Sequence, residues 1–322
     1  MKLGVFAVLF GQKPLEEALD IIADAGLQTV EIGTGGFPGN AHCNPAELLA
    51  DEMKLRAFQE AIERRGLEIS ALSCHGNPLH PTAEVARQAH EDFVNTVLLA
   101  ERLGVKNVVT FSGCPGESEN SKYPVWVTCP WPTDNLTVLN WQWQEKVIPY
   151  WREQAKFVTE HGVRVAIEPH PSFVVYNSET LLRLREACGE SIGVNFDPSH
   201  LFWQGMDPVL CIKELGAAGA LFHVHAKDTA FDRENTATNG VLDTKPYTDE
   251  LHRSWIFRTV GYGHGEETWR RILSALQLVG YDGAVSIEHE DSLMSIEEGF
   301  QKAVSFLQQQ LIRERLDKVW WA

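Results

Sequence analysis

A chain of 322 residues, 44% of them hydrophobic, has ample apolar content for a large core, and one α/β domain can reach this length. Its formal net charge of −16 argues against nucleic acid, whose phosphates need stripes of Lys and Arg, and no apolar run approaches the roughly 18 residues of a membrane span. The six cysteines form no CxxC pair, a pattern of reduced thiols that predicts a cytoplasmic protein.

Strand and helix signals alternate from end to end. Short runs rich in Val, Ile and Phe predict strands at about 3–10, 29–34, 68–75, 107–112, 163–168, 192–197, 221–226 and 283–288. The first run is briefly signal-like, but Gln12, Lys13 and Pro14 end it with no small-residue cleavage site. Apolar residues at helical spacing predict helices at 15–25, 47–65, 83–103, 141–160, 179–188, 208–215, 267–279 and 296–311. Glycine follows several of them, at Gly26, Gly66, Gly104, Gly162 and Gly280, as a left-handed helix stop requires. Eight such units force parallel pairing and favour a closed (β/α)8 TIM barrel, one domain over 1–322. No G-x-G-x-x-G follows the first strand, which argues against a dinucleotide fold. Long loops are expected at 113–140 and 229–265, on the side where barrel enzymes hold their sites. The tail from 312 ends in Trp320 and Trp321, expected to pack on the barrel or on a second subunit.

Four predicted strands end in residues that bind hard cations. They are Val165-Ala-Ile-Glu168, Val194-Asn-Phe-Asp197, Phe222-His-Val-His225 and Val285-Ser-Ile-Glu288. All strand C-termini of a parallel barrel meet at one mouth. Acids and an imidazole gathered there repel or stay desolvated unless a cation lies between them. Strand alternation turns His223 and His225 to one face; His225, nearer the mouth, is the expected ligand, and His223 a hydrogen-bonded core residue or a support to it. Glu288 is preferred to Glu290. His200, three residues past Asp197, is a candidate weak ligand or substrate donor.

Three carboxylates and one imidazole suit one divalent cation, Mn²⁺ ahead of Mg²⁺ or Co²⁺. Such an ion makes the carbon beside a ligated carbonyl acidic, and a neighbouring carboxylate can then move the proton. With Glu168 and Glu288 as base and acid, the expected reaction is isomerisation or epimerisation of a sugar or ketosugar through an enediolate.

Several motifs resemble the sugar phosphate isomerase/epimerase group of xylose isomerase-like TIM barrels: Ile167-Glu168-Pro169, Asn195-Phe-Asp197-Pro-Ser-His200, His223-Val-His225-Ala-Lys-Asp228, Gly261-Tyr-Gly-His-Gly265 and Ser286-Ile-Glu288-His-Glu290. The group includes ketose 3-epimerases, inosose dehydratases and the barrel subunit of C-glycoside deglycosidases. The resemblance implies Glu168, Asp197, His225 and Glu288 as metal ligands, Glu168 and Glu288 as the acid–base pair, and His200 on a substrate hydroxyl. It also implies a homo-oligomer, dimer or tetramer, with a small second subunit as an alternative. A lyase using the same metal and glutamate base is the first alternative reaction. A nuclease of the endonuclease IV type is a second, resembled at Ser73-Cys-His75-Gly, but the fourth strand ends Thr110-Phe-Ser-Gly113 without the histidine of that pattern. Further substrate-binding candidates are His75, Lys227, Arg258, Trp126 and Trp203, with Trp131 and Trp255 as other aromatic walls for a sugar ring.

Overall fold

The computed structural model describes residues 1–314 and 318–321. Eight parallel strands close into a barrel: β1 (Lys2–Phe6), β2 (Thr29–Gly33), β3 (Glu68–Ser73), β4 (Asn107–Thr110), β5 (Arg164–Ile167), β6 (Ile192–Phe196), β7 (Leu221–Ala226) and, after two further strands, β10 (Ala284–Ile287). β10 pairs with β7 on one side and with β1 on the other, Lys2 opposite Ala284, which closes the ring. All eight expected strands are present. Their apolar residues on one face meet the helical shell, where Leu19, Ile22, Phe93, Trp151, Leu181 and Leu276 lie buried. The barrel interior is far more polar: Glu31, Ser73, Asn195, His223, His225 and Ser286 are all fully buried.

Helix ends follow the sequence signals in part. Gly104 and Gly162 adopt φ of 70° and 65° just past their helices, as predicted. The helix expected at 47–65 is two helices, Pro45–Ala50 and Glu52–Glu63, because the Asp51 side chain caps the second by accepting from the amides of Met53 and Lys54. Residues 7–10, expected to extend the first strand, form a 3-10 turn instead.

Both long loops carry more structure than expected. The helix predicted from 141 begins at Asp134 and passes through one π-helical turn, Gln142–Val147. That turn aims the buried Gln142 amide at the loop after β4, where Nε2 donates to the carbonyls of Pro115, Gly116 and Val125 at 3.2, 3.0 and 2.7 Å. The 229–265 stretch contains an antiparallel pair, β8 (Asp228–Phe231) with β9 (Trp255–Arg258), and a helix at Arg233–Asn239. Trp320 and Trp321 do not pack on the barrel: they are 85% and 64% exposed. No helix among the described residues is long and apolar enough to cross a membrane.

Candidate metal centre and substrate cavity

Each of the four strand-end residues sits at the barrel mouth. The amides of Glu168 and Glu288 continue the strand ladders, donating to Thr110 O (2.9 Å) and Ala226 O (3.2 Å). Asp197 caps the short helix Pro198–Phe202 through Ser199, with its Oδ1 accepting from the amide at 2.8 Å and Oδ2 from the hydroxyl at 3.0 Å. One ligand atom from each of Glu168, Asp197, His225 and Glu288 lies within 4.8 Å of the others. The helical turn after Asp197 swings His200 back, placing its Nε2 3.3 Å from Glu168 Oε1 and 3.2 Å from Asp197 Oδ2.

Glu168 is buried and accepts from His75 Nε2 (3.0 Å) and Asn195 Nδ2 (2.8 Å). Burial alone would raise its pKa; the close imidazoles of His200, His225 and His75 instead hold it well below the usual carboxylate range. Burial is likewise outweighed at Glu288, which Lys227 and His225 keep ionised. At His225, burial favours the neutral ring, but the Glu31 and Glu288 carboxylates raise its pKa well above that of free imidazole. Lys227 is buried with Nζ 3.1 Å from Asp197 Oδ2, 3.0 Å from Glu288 Oε2 and 3.1 Å from Glu290 Oε2. These carboxylates overcome its burial and keep it charged.

Two details test whether a cation fits. Glu288 Oε2 lies 2.9 Å from His225 Nδ1 and 3.0 Å from Lys227 Nζ, yet is in hydrogen-bond geometry with neither. Both ring nitrogens of His200 are buried and equally without a hydrogen-bond partner. A carboxylate oxygen and two imidazole nitrogens, buried and unpartnered at one rim, suit a positive centre among them. The donor set fits a hard divalent cation.

Glu31, on β2, is a residue that the strand-end pattern did not single out. Its two oxygens lie 3.0 and 2.9 Å from His225 Nε2. They also accept from Ser73 Oγ on β3 (2.5 Å) and Ser286 Oγ on β10 (2.7 Å). Burial opposes the charge, but His225, His223 and these hydroxyls bring its pKa down to about 2. A carboxylate on Nε2 fixes the ring and leaves Nδ1 facing the cluster, the arrangement that tunes histidine ligands of metals. Glu31, His223 and His225 form a second close group. His223 is already engaged there, donating through Nδ1 to Asn195 Oδ1 (2.9 Å) with Nε2 against Ser70 Oγ (3.2 Å), and burial lowers its pKa to about 4. If the cluster holds a divalent cation, replacing Glu31 by Gln is expected to weaken its binding about 10–100-fold, read by isothermal titration; unchanged affinity would separate Glu31 from the candidate metal centre.

A cavity of ≈ 540 Å³ opens above the cluster, reached by Glu168, His200, Lys227, Glu288 and Glu290 and walled by Phe6, Phe111, Phe173 and Phe257 among others. His75 lines it, edge-on to Phe111 at 4.6 Å. His170 lines it too, with its ring 4.1 Å from that of His200. Burial, with the neighbouring His200 ring also disfavouring a charge there, pushes the His170 pKa down to about 3. Glu168-Pro-His170 placed this second missed residue in view, but only the loop fold brings it back over the mouth.

Five expected substrate contacts fall elsewhere. Arg258 does not line this cavity; its Nε donates to Asp291 Oδ2 at 3.0 Å, a pairing that the β8–β9 hairpin imposes. Trp203 is stacked on Trp255 at 4.5 Å, both rings buried in a separate apolar cluster under the hairpin. Trp131 is 76% exposed. Trp126 lines a neighbouring cavity instead.

Residues 19–310 match the model of the xylose isomerase-like TIM barrel family, and the chain belongs to that family. The uncharacterized protein YfiH of Bacillus subtilis strain 168 is 41% identical over 313 residues, 96% of this chain and 99% of its own. The 3-keto-D-glucoside 4-epimerase YcjR from E. coli shares the fold with a TM-score of 0.64 at 13% identity, covering 96% of this chain and 99% of that one. The probable 3-DHS dehydratase AsbF of Bacillus anthracis does so with a TM-score of 0.64 at 15% identity, covering 96% and 99%.

Proposed function

We propose that this protein is a divalent-cation-dependent isomerase or epimerase of a sugar or ketosugar. The observation that carries the reading is the convergence of Glu168, Asp197, His225 and Glu288 beneath an aromatic-walled cavity. Mn²⁺, held by these four residues, would polarise a substrate carbonyl and stabilise charge developing on its oxygen. Glu168 accepts the proton from the carbon beside that carbonyl, and Glu288, arriving from β10, passes back one that it has taken up from solvent. Return to the opposite face of the same carbon inverts it; return to the neighbouring carbon isomerises the sugar. His200, with two unpartnered ring nitrogens, holds a substrate hydroxyl, while His75 keeps the Glu168 carboxylate in place through its 3.0 Å contact. The phenylalanine walls exclude water and leave the C–H face of a sugar an apolar surface to rest on.

A lyase is the second reading, and Lys227 favours it. Its buried ammonium borders the cavity beside Glu288 and suits donation of a proton to a leaving hydroxyl. A nuclease finds no support, because Lys227 is the sole Lys or Arg among the residues lining the cavity and it is engaged by three carboxylates.

Proton NMR in D₂O, with Mn²⁺-supplied protein and a panel of ketoses and keto-glycosides, is the test. The expected result is deuterium at one carbon of a product of otherwise unchanged composition. Loss of water or of a glycosyl group would select the lyase, and no exchange in any substrate together with no cation bound would end both readings.

A further inference from the structure

A second cavity, ≈ 900 Å³, lies beside the first, and Phe37, His75 and Phe173 line both. The shared wall is built deliberately at the backbone level. Gly36 has φ +63°, and a Cβ there would stand 1.9 Å from the carbonyl oxygen of His75, so this turn admits glycine alone. Its amide donates to Asp92 Oδ2 at 2.9 Å, and the amide of Phe37 to His75 O at 2.7 Å. On the other side Ser172 is held at φ 73°, the one non-glycine with positive φ among the described residues. Strain of this kind persists where the surroundings over-determine it and clusters at ligand sites. Here it delivers Phe173 flat onto Phe111, with ring centroids 4.3 Å apart, at the junction of the two cavities.

The lining states the ligand's chemistry. The second cavity has no Lys or Arg among its lining residues, and of its two carboxylates Glu84 is paired with Arg87 at 2.6 Å while Asp92 is held by the Gly36 amide. Asp92 Oδ1 accepts from Gln88 Nε2 at 2.9 Å, and each carboxylate oxygen keeps a further lone pair for a hydroxyl donor. Trp126 lines this wall with its indole N–H sealed from solvent, so what it offers a ligand is its apolar ring. Acceptor oxygens and aromatic faces, with no Lys or Arg among the lining residues, suit a neutral ring carrying hydroxyls and give a phosphate no basic side chain to bind. Volumes of this size each hold a small organic ligand.

We propose that the second cavity is the subsite for a non-reacting ring of the substrate, which is an uncharged glycoside: its carbonyl-bearing sugar occupies the metal cavity, and a second hydroxyl-bearing ring, across the glycosidic bond, lies between Trp126, Asp92 and Phe37. The proposal rests on the sugar-site reading above and narrows it, excluding sugar phosphates. Phe37, 75% exposed at the shared rim, covers the bond joining the two rings.

Binding rather than turnover is the test, so that its failure stays distinct from failure of the reaction. The Mn²⁺-supplied protein is titrated with methyl glucosides, with the disaccharides maltose and cellobiose, and with glucose 6-phosphate. At least one disaccharide is expected to bind at least tenfold more tightly than the matching methyl glucoside, and glucose 6-phosphate more weakly than either. Two variants, Trp126→Ala and Val85→Trp, are each expected to remove that advantage; Val85 is a half-exposed helix position facing the cavity, where a larger side chain fills space without deleting a native contact. Equal affinity for one-ring and two-ring ligands, a preference for the phosphate, or disaccharide binding unchanged in both variants overturns the proposal, whether or not deuterium exchange is seen.

Discussion

Glu168→Gln is expected to lower kcat/KM by about 10²–10⁴-fold, the range for a displaced general base, while the protein stays folded. The side chain is 2% exposed and already surrounded by His75, Asn195, His200 and His225. Glutamine keeps the shape and one acceptor oxygen, so the hydrogen-bonded frame survives. It loses the charge, and with it both the proposed proton acceptor and one of the three carboxylates of the candidate cation site. Steady-state kinetics on the substrate found by deuterium exchange reads the first loss. The second appears as a smaller Mn²⁺-induced rise in Tm, because a ligand stabilises only in proportion to its occupancy of the folded state. Activity within tenfold of the wild type, at saturating Mn²⁺, would assign the proton transfer to another residue.

Asp228→Ala is expected to destabilise the fold by on the order of 4 kcal/mol, from loss of charged hydrogen bonds and of partners for several buried donors. Asp228 Oδ2 accepts from the amides of Gly261 (3.0 Å), Gly263 (3.2 Å) and His264 (2.9 Å) and from Trp269 Nε1 (3.1 Å). Oδ1 accepts from the amide of Thr229 at 2.8 Å and lies 2.8 Å from His264 Nδ1. One carboxylate thus ties the Gly261-Tyr-Gly-His-Gly265 segment to the start of the hairpin. Gly263 is held so closely that a Cβ would meet Thr229 O at 2.2 Å. Chemical denaturation measures the loss. The same variant is expected to raise KM, because the hairpin supplies Ile256 and Phe257 to the metal cavity. A loss under about 1 kcal/mol, the net worth of one ordinary hydrogen bond, would show that the segment is held by other contacts.

Much of this architecture is local information. Alternating apolar runs and glycine stops predict eight strand–helix units, and parallel pairing with right-handed crossovers brings every strand end to one rim. That is why Glu168, Asp197, His225 and Glu288 can be collected from a one-dimensional pattern. Glu31 escapes it: within Thr29-Val-Glu-Ile-Gly33 the acid precedes the strand end, and nothing local says that Ser73, Ser286 and His225 await it from three other strands. Lys227 and Arg258 read alike in sequence as cations near the mouth, yet the hairpin pairs Arg258 with Asp291 and leaves Lys227 bordering the cavity. Trp126 and Trp203 read alike as aromatic walls, and packing gives one to a groove and seals the other against Trp255. Periodicity reports which face of an element is apolar; which partner meets a polar side chain depends on contacts between residues far apart in the chain, and only the closed barrel with its folded loops sets those distances.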